Sequence, residues 1–326
     1  MMNHSLHDLI HSLRAARRIA ILLHISPDGD TLGSALALCR ALVSLGKAAE
    51  VYCDDAIPRI YQALPGAETV RPPEAAEGAF DLALAVDVAD RARMGRCAAL
   101  FDRAARTAQI DHHGTNTGYA GVNLLQSPLS ASGVLALAVI DALGAPLSAA
   151  MAECLYVAAA TDTGNFKQPN TDAPALRLAA RCVETGFNPA EPMRRIYDLR
   201  PFAQVKLMGR AFDSLTRRAG GRAALMCLSA ADFAACDALP ELTEGIINYA
   251  MNIEGVRIAC LLTERQGRVK CSLRSLESPD SVDVAALART FGGGGHTRAA
   301  GCTLDGALDA ALARMCAAVD GALGLG

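Results

Sequence analysis

Residues 82–86, Leu-Ala-Leu-Ala-Val, form an apolar run that ends abruptly in Asp87. A half-buried strand alternates polar and apolar side chains. A run without alternation belongs to a strand covered on both faces, as in parallel sheets. Short apolar runs at 19–23 and 49–53 alternate in the same way with longer helical patterns such as 33–45, and another strand ends on Gln109 and Ile110 before Asp111. This alternation predicts an α/β fold on a parallel sheet.

From residue 132 the pattern turns helical, with segments near 132–143, 148–160, 172–186 and 189–198 punctuated by Pro146, Pro174, Pro189 and Pro201. Strands follow at 223–228, 257–263 and 269–275, among helices near 241–251, 282–290 and 305–322. A chain of 326 residues is long for one domain. The expected layout is a catalytic domain over 1–200, a linker over 201–220 and a smaller α/β domain over 221–326.

Formal net charge is −3, so no broad basic field exists to neutralise the many phosphates of long duplex DNA. Any nucleic-acid substrate should be short. The 11 cysteines include no CxxC pair, the N-terminus has no secretory-signal pattern, and a cytoplasmic protein is expected. No apolar run approaches the ~18 residues of a membrane span.

Four clusters carry the chemistry. His24, Asp28 and Asp30 crowd one loop after the first strand, where Pro27 and Gly29 force a turn. Asp87 closes the apolar strand and is preferred as a ligand over its rival Asp90, although Asp87 could merely cap the next turn. Asp111-His112-His113-Gly114 repeats the strand-end design with two imidazoles. Asp162 sits in Thr-Asp-Thr-Gly at the C-terminal end of an apolar helix, where an acid opposes the helix dipole unless a cation compensates. Ligands of doubly wound sheets bind at this carboxyl edge. Carboxylates gathered there would repel one another strongly. Two divalent ions would offset the charge of Asp28, Asp30, Asp87 and Asp162. Carboxylates and imidazoles without thiolates favour Mn²⁺ or a similar ion, and an ion pair ~3.5–4 Å apart suits displacement at phosphorus.

This ensemble of HxxxDxD, a strand-end Asp, DHH and a later helical Asp resembles the DHH phosphoesterase superfamily over residues 24–162. The resemblance implies that His24, Asp28 and Asp87 hold one metal and that Asp30, Asp87, His112 and Asp162 hold the other, with Asp87 bridging. It also implies that His113 contacts phosphate and protonates the leaving oxygen, while Asp111 orients a histidine. Thr31 stands where relatives often carry Ala, a change expected to leave coordination intact.

Near the C-terminus, Ser272-Leu273-Arg274-Ser275 precedes Phe291-Gly-Gly-Gly294-Gly295-His296. Packing cannot explain four consecutive glycines. Their N–H groups could approach an anion closely, although a flexible loop is the ordinary reading, and Arg274 alone would be a solvated charge. The pair of motifs resembles the DHHA1 substrate-binding domain, which implies that Arg274, Gly294, Gly295 and His296 hold the substrate. The compact layout is most similar to the branch that degrades short oligoribonucleotides to mononucleotides and removes the 3′-phosphate of adenosine 3′,5′-bisphosphate. Relatives of this layout are often dimers. Alternatives are hydrolysis of cyclic or linear dinucleotides, a manganese pyrophosphatase, disfavoured by the C-terminal motifs, or a nucleotide sensor without turnover. His4, His7 and His11 share a helical face, read as an ordinary solvated helix.

Overall fold

The structure, a computed structural model, describes residues 5–276 and 281–324. It divides into two compact units, Met1–Leu199 and Arg200–Gly326. The first runs α1 (Leu6–Ala15), β1 (Arg18–Leu22), α2 (Gly29–Ser44), β2 (Ala48–Tyr52), β3 (Leu82–Val86), α3 (Ala98–Arg103), β4 (Thr107–Asp111), β5 (Val122–Leu125), α4 (Ser132–Leu143), α5 (Ala149–Asp162), α6 (Ala173–Glu184) and α7 (Ala190–Met193). Its sheet is parallel throughout, in the order β2-β1-β3-β4-β5.

Strand periodicity divides the core. Ile19 and Ile21 of β1, with Leu82, Leu84 and Val86 of β3, face one way and pack with side chains of α2, α4 and α5. Ala20, Leu22, Ala83 and Ala85 face the other way, against Leu100 and Phe101 of α3. Both faces of β1 and β3 are therefore buried, which explains why their sequences do not alternate. Successive strands leave β1 on opposite sides, so a crevice opens at the carboxyl ends of β1 and β3.

Helix α2 begins at Gly29, four residues before the expected start. The reason is a cap: the Asp28 carboxylate accepts the N–H groups of Asp30 and Thr31 at 3.1 Å. Asp30 therefore rides on the first helical turn, outside the expected loop. Further along, α2 crosses α5 so closely that a Cβ on Gly33 would lie 2.2 Å from the Cys154 carbonyl oxygen.

The second unit runs α8 (Phe202–Asp213), β6 (Thr216–Arg218), β7 (Ala223–Leu228), α9 (Ala230–Cys236), α10 (Ile246–Met251), β8 (Ile258–Arg265), β9 (Arg268–Ser275), α11 (Val284–Arg289), β10 (Gly294–His296), β11 (Ala299–Asp305) and α12 (Leu308–Ala322). The sheet order is β10-β11-β9-β8-β7-β6, and only the β7–β8 pair is parallel. Stretch 201–220, expected as a linker, carries α8 and β6, because Leu207 and Ala211 are apolar anchors buried in this unit's core. The helix expected near 241–251 divides into a 3-10 turn, Pro240–Thr243, and α10, with left-handed Gly245 between them. No helix among the described residues is long and apolar enough to cross a membrane.

Candidate active site

The first unit gathers the clusters at the carboxyl edge of its sheet. His24 follows β1, Asp28 and Asp30 begin α2, Asp87 follows β3, Asp111 ends β4 with His112 and His113 after it, and Asp162 ends α5. Ligand atoms of His24, Asp28 and Asp87 lie within 4.8 Å of one another, as do those of Asp30, His112 and Asp162. Asp87 touches both groups. Its Oδ2 lies 3.7 Å from His24 Nε2, and its Oδ1 lies 3.5 Å from His112 Nε2. Asp90 is a turn cap, accepting the N–H groups of Ala92 and Arg93.

The two imidazoles share an informative orientation. His24 Nδ1 lies 2.8 Å from the Ile25 carbonyl, and His112 Nδ1 lies 2.8 Å from the Leu129 carbonyl. A carbonyl only accepts, so each Nδ1 carries a proton and each ring turns its Nε2 inward, where the neutral form offers a lone pair. What those lone pairs meet is negative. His24 Nε2 faces Asp28 at 3.6 Å as well as Asp87. His112 Nε2 faces Asp162 at 3.2 Å and Asp30 at 3.9 Å, and is buried without a hydrogen-bond partner. Acceptors facing acceptors require a cation between them. Imidazoles oriented through backbone carbonyls, in a carboxylate-rich cradle, form a donor set that fits divalent metal ions.

The same arrangement favours positive charge on the rings. Burial opposes the charged form of His24, but Asp28 and Asp87 outweigh it and lift its pKa to about 10. The same contest, with Asp162 and Asp30 as the opposing acids, lifts His112 to about 10. Burial drives Asp30 well above the usual carboxylate range, with Asp87 and Asp162 adding to the effect, and raises Asp87 against the pull of His24. Burial also works against ionised Asp28, yet His24 and the N–H groups at the start of α2 hold its carboxyl below the usual value.

The support is equally specific. Asp30 accepts from Ser34 Oγ at 3.1 Å and from the N–H groups of Ser132 and Gly133 at 2.6 and 2.9 Å, at the start of α4. Ser132 Oγ donates to Asp87 at 2.9 Å. Thr31 donates to the Val86 carbonyl at 2.8 Å, tying α2 to the residue before Asp87. Asp87 has a left-handed backbone, φ 61°, a conformation costly for a non-glycine residue and concentrated at functional sites. Sequence reasoning missed Ser132, Gly133 and the Leu129 carbonyl. Only the position of Ser132 at a helix start hinted at a role.

His113 stands apart from these imidazoles. Its Nδ1 donates to Asp111 Oδ1 at 2.7 Å, which raises its pKa, and the ring is about one-third exposed. Asp111 is buried, but His113 and Asn116 hold its carboxyl below the usual range. Asn116 donates to Asp111 Oδ2 and to Gln109 Oε1, locking the strand end to the following loop.

In the second unit, His296 pairs with Ala299, and Ala299 pairs with Arg274. These residues form a row on one sheet face, with the imidazole and guanidinium flanking a small alanine ~10 Å apart. The glycine run needs a corrected account. The N–H groups of Gly292 and Gly293 close onto the carbonyls of Arg289 and Ala288 at the end of α11, so they are not free for an anion. A Cβ on Gly293 would lie 2.2 Å from the Gly301 carbonyl oxygen, and one on Gly295 2.5 Å from that of Ala299. Packing against β11 therefore does explain two glycines, while Gly294 is open to solvent. His7 and His11 are exposed on α1 and join no ligand cluster among the described residues, and His4 lies outside those residues.

The DHH family, N-terminal domain, matches residues 18–159, and the DHHA1 domain matches residues 233–323. The chain belongs to the DHH phosphoesterase family and is a hydrolase of phosphate ester bonds. It is 33% identical to the bifunctional oligoribonuclease and PAP phosphatase NrnA of Thermus thermophilus, over 92% of this chain and 89% of that protein. Its fold is similar to that of an exopolyphosphatase-related protein from Bacteroides fragilis, with TM-score 0.81 and 24% identity over 98% of this chain and 95% of the other. Exonuclease RecJ bound to manganese aligns with TM-score 0.53 and 16% identity, over 99% and 95% of the two chains.

Proposed function

We propose that this protein is a manganese-dependent phosphoesterase that cleaves short oligoribonucleotides to mononucleotides and removes the 3′-phosphate from adenosine 3′,5′-bisphosphate. The observation that carries the metal reading is the inward pair of imidazole lone pairs, each facing carboxylates. The likeness to the Thermus protein supports the substrate class. His24, Asp28 and Asp87 would hold one ion, and Asp30, Asp87, His112 and Asp162 a second, with Asp87 shared. When bound, such ions supply positive charge to the reacting phosphate and acidify water.

The remaining work falls to the protein. Asp111 holds His113 in one tautomer, so its Nε2 is the atom that exchanges a proton with the departing sugar oxygen. Arg274 and His296, flanking Ala299, bind a second phosphate, and exposed Gly294 and Gly295 let substrate approach the backbone. The net charge of −3 fits a short substrate held in local contacts.

The test is a side-by-side Mn²⁺-supported assay of a labelled dinucleotide, a pentanucleotide, adenosine 3′,5′-bisphosphate and pyrophosphate. Turnover of the dinucleotide and the bisphosphate is expected. Turnover of pyrophosphate alone would overturn the proposal.

A further inference from the structure

The ring of His24 takes its orientation from the Ile25 carbonyl, which accepts its Nδ1–H at 2.8 Å. That carbonyl and the N–H of Ser26 belong to one peptide unit. The unit is planar and trans, so its C=O and N–H point in opposite directions and cannot turn separately. On the far side of this plate the Ser26 N–H donates to Asp55 Oδ2 at 2.7 Å. A carboxylate, a peptide unit and an imidazole therefore form one chain of hydrogen bonds, ending on the Nε2 that faces Asp28 and Asp87.

The plate is held in an orientation that the backbone alone disfavours. Ser26 has φ 53°, a left-handed conformation that is unfavourable for a residue with a Cβ. Turning the plate over would return Ser26 to negative φ. It would also swing the Ser26 N–H away from Asp55 and the Ile25 carbonyl away from His24. The surroundings brace the same segment. Asp54, beside Asp55 in the turn after β2, accepts the Arg96 N–H at 2.7 Å and its Nε–H at 2.6 Å, and the Ile25 N–H donates to the Arg93 carbonyl at 2.7 Å. The loops after β1, β2 and β3 are thus tied together around the Ile25–Ser26 peptide.

We propose that Asp55 is a positioning residue for the candidate metal centre: through the Ile25–Ser26 peptide it fixes the ring of His24, and with it the affinity for the ion that His24, Asp28 and Asp87 would share. This role rests on the two-ion reading of the site. A carboxylate often orients a ligand histidine directly; here a peptide unit stands between the two and passes the orientation on.

Isothermal titration of the full chain with Mn²⁺ at one pH tests it. The parent should bind two ions. Asp55→Ala should weaken one of them about tenfold and leave the other close to its parental value. Asp55→Asn, whose amide oxygen still accepts the Ser26 N–H, should stay within about threefold of the parent, because the lost charge is exposed and screened. Ser26→Gly, which relieves the left-handed backbone, should recover about threefold when added to Asp55→Ala. Positions 26 and 55 are both exposed, so each variant should keep the parent's far-UV circular dichroism. Parental affinity in Asp55→Ala, an equal loss in Asp55→Asn, or no recovery on adding Ser26→Gly would overturn the proposal and leave the two-ion centre standing. A parent that binds no Mn²⁺ would remove both.

Discussion

The two units carry their candidate functional residues in physically different ways. In the first, Asp30, Asp87, His24 and His112 are buried or nearly so, face one another, and are fixed by backbone carbonyls, hydroxyls and a helix start. Their arrangement is unfavourable unless something positive joins it. In the second, His296 and Gly294 are exposed and Arg274 is partly so. A buried conflict is informative, whereas an exposed cation is informative only through its neighbours.

The sharpest way to break this contrast is Asp87→Asn. Asparagine tolerates the left-handed backbone, so folding should survive while kcat falls by roughly a thousandfold or more. In chelator near neutral pH the variant should melt higher than the parent, because burial holds the Asp87 carboxyl above its usual range and the neutral amide carries no such cost. A variant retaining most of its turnover would remove Asp87 from the centre.

Metal removal should come next in effect. Chelator should abolish turnover, and Mn²⁺ should restore it and raise Tm progressively. His24, His112 and Asp30 all have raised pKa values, so a bound cation must displace protons there. Apparent metal affinity should therefore fall as pH falls. Isothermal titration at two pH values reads this directly, and a pH-independent affinity would contradict the ligand set.

Asp111→Asn should lower kcat by about ten- to a hundredfold. Because Asp111 raises the His113 pKa, its loss lowers that pKa, and the alkaline limb of the rate profile should move to lower pH. An unmoved limb would mean that His113 is not the proton donor.

In the second unit the effects should be smaller and separable. Gly293→Ala should cost about 1–3 kcal/mol of stability through overpacking against β11, measured by denaturant unfolding. Gly294→Ala should leave stability within about 1 kcal/mol. Arg274→Ala should raise KM while leaving kcat close to its parent value. A collapse of kcat there would erase the distinction between the units.

Much of the first unit was legible because its signals are local and periodic. Apolar strands without alternation predicted a parallel sheet, and each strand-end acid marked the same edge. Short edge strands β5 and β6 escaped, since Val122–Leu125 and Thr216–Arg218 are too brief to show a period. The cap that starts α2 at Gly29 was hidden because Asp28 also looked like a loop ligand. The glycine run misled for another reason. A sequence shows that a Cβ is missing but not which neighbour excludes it, and here β11 excludes two of the four.

The closeness of α2 and α5 at Gly33 makes the dimensions of the centre a property of helix packing. Asp30 rides on one of these helices and Asp162 on the other, and each travels with its backbone. A methyl group at position 33 would act as a wedge, spreading the donors without touching them. The spacing of these donors thus depends on one carbon atom that the chain does not have.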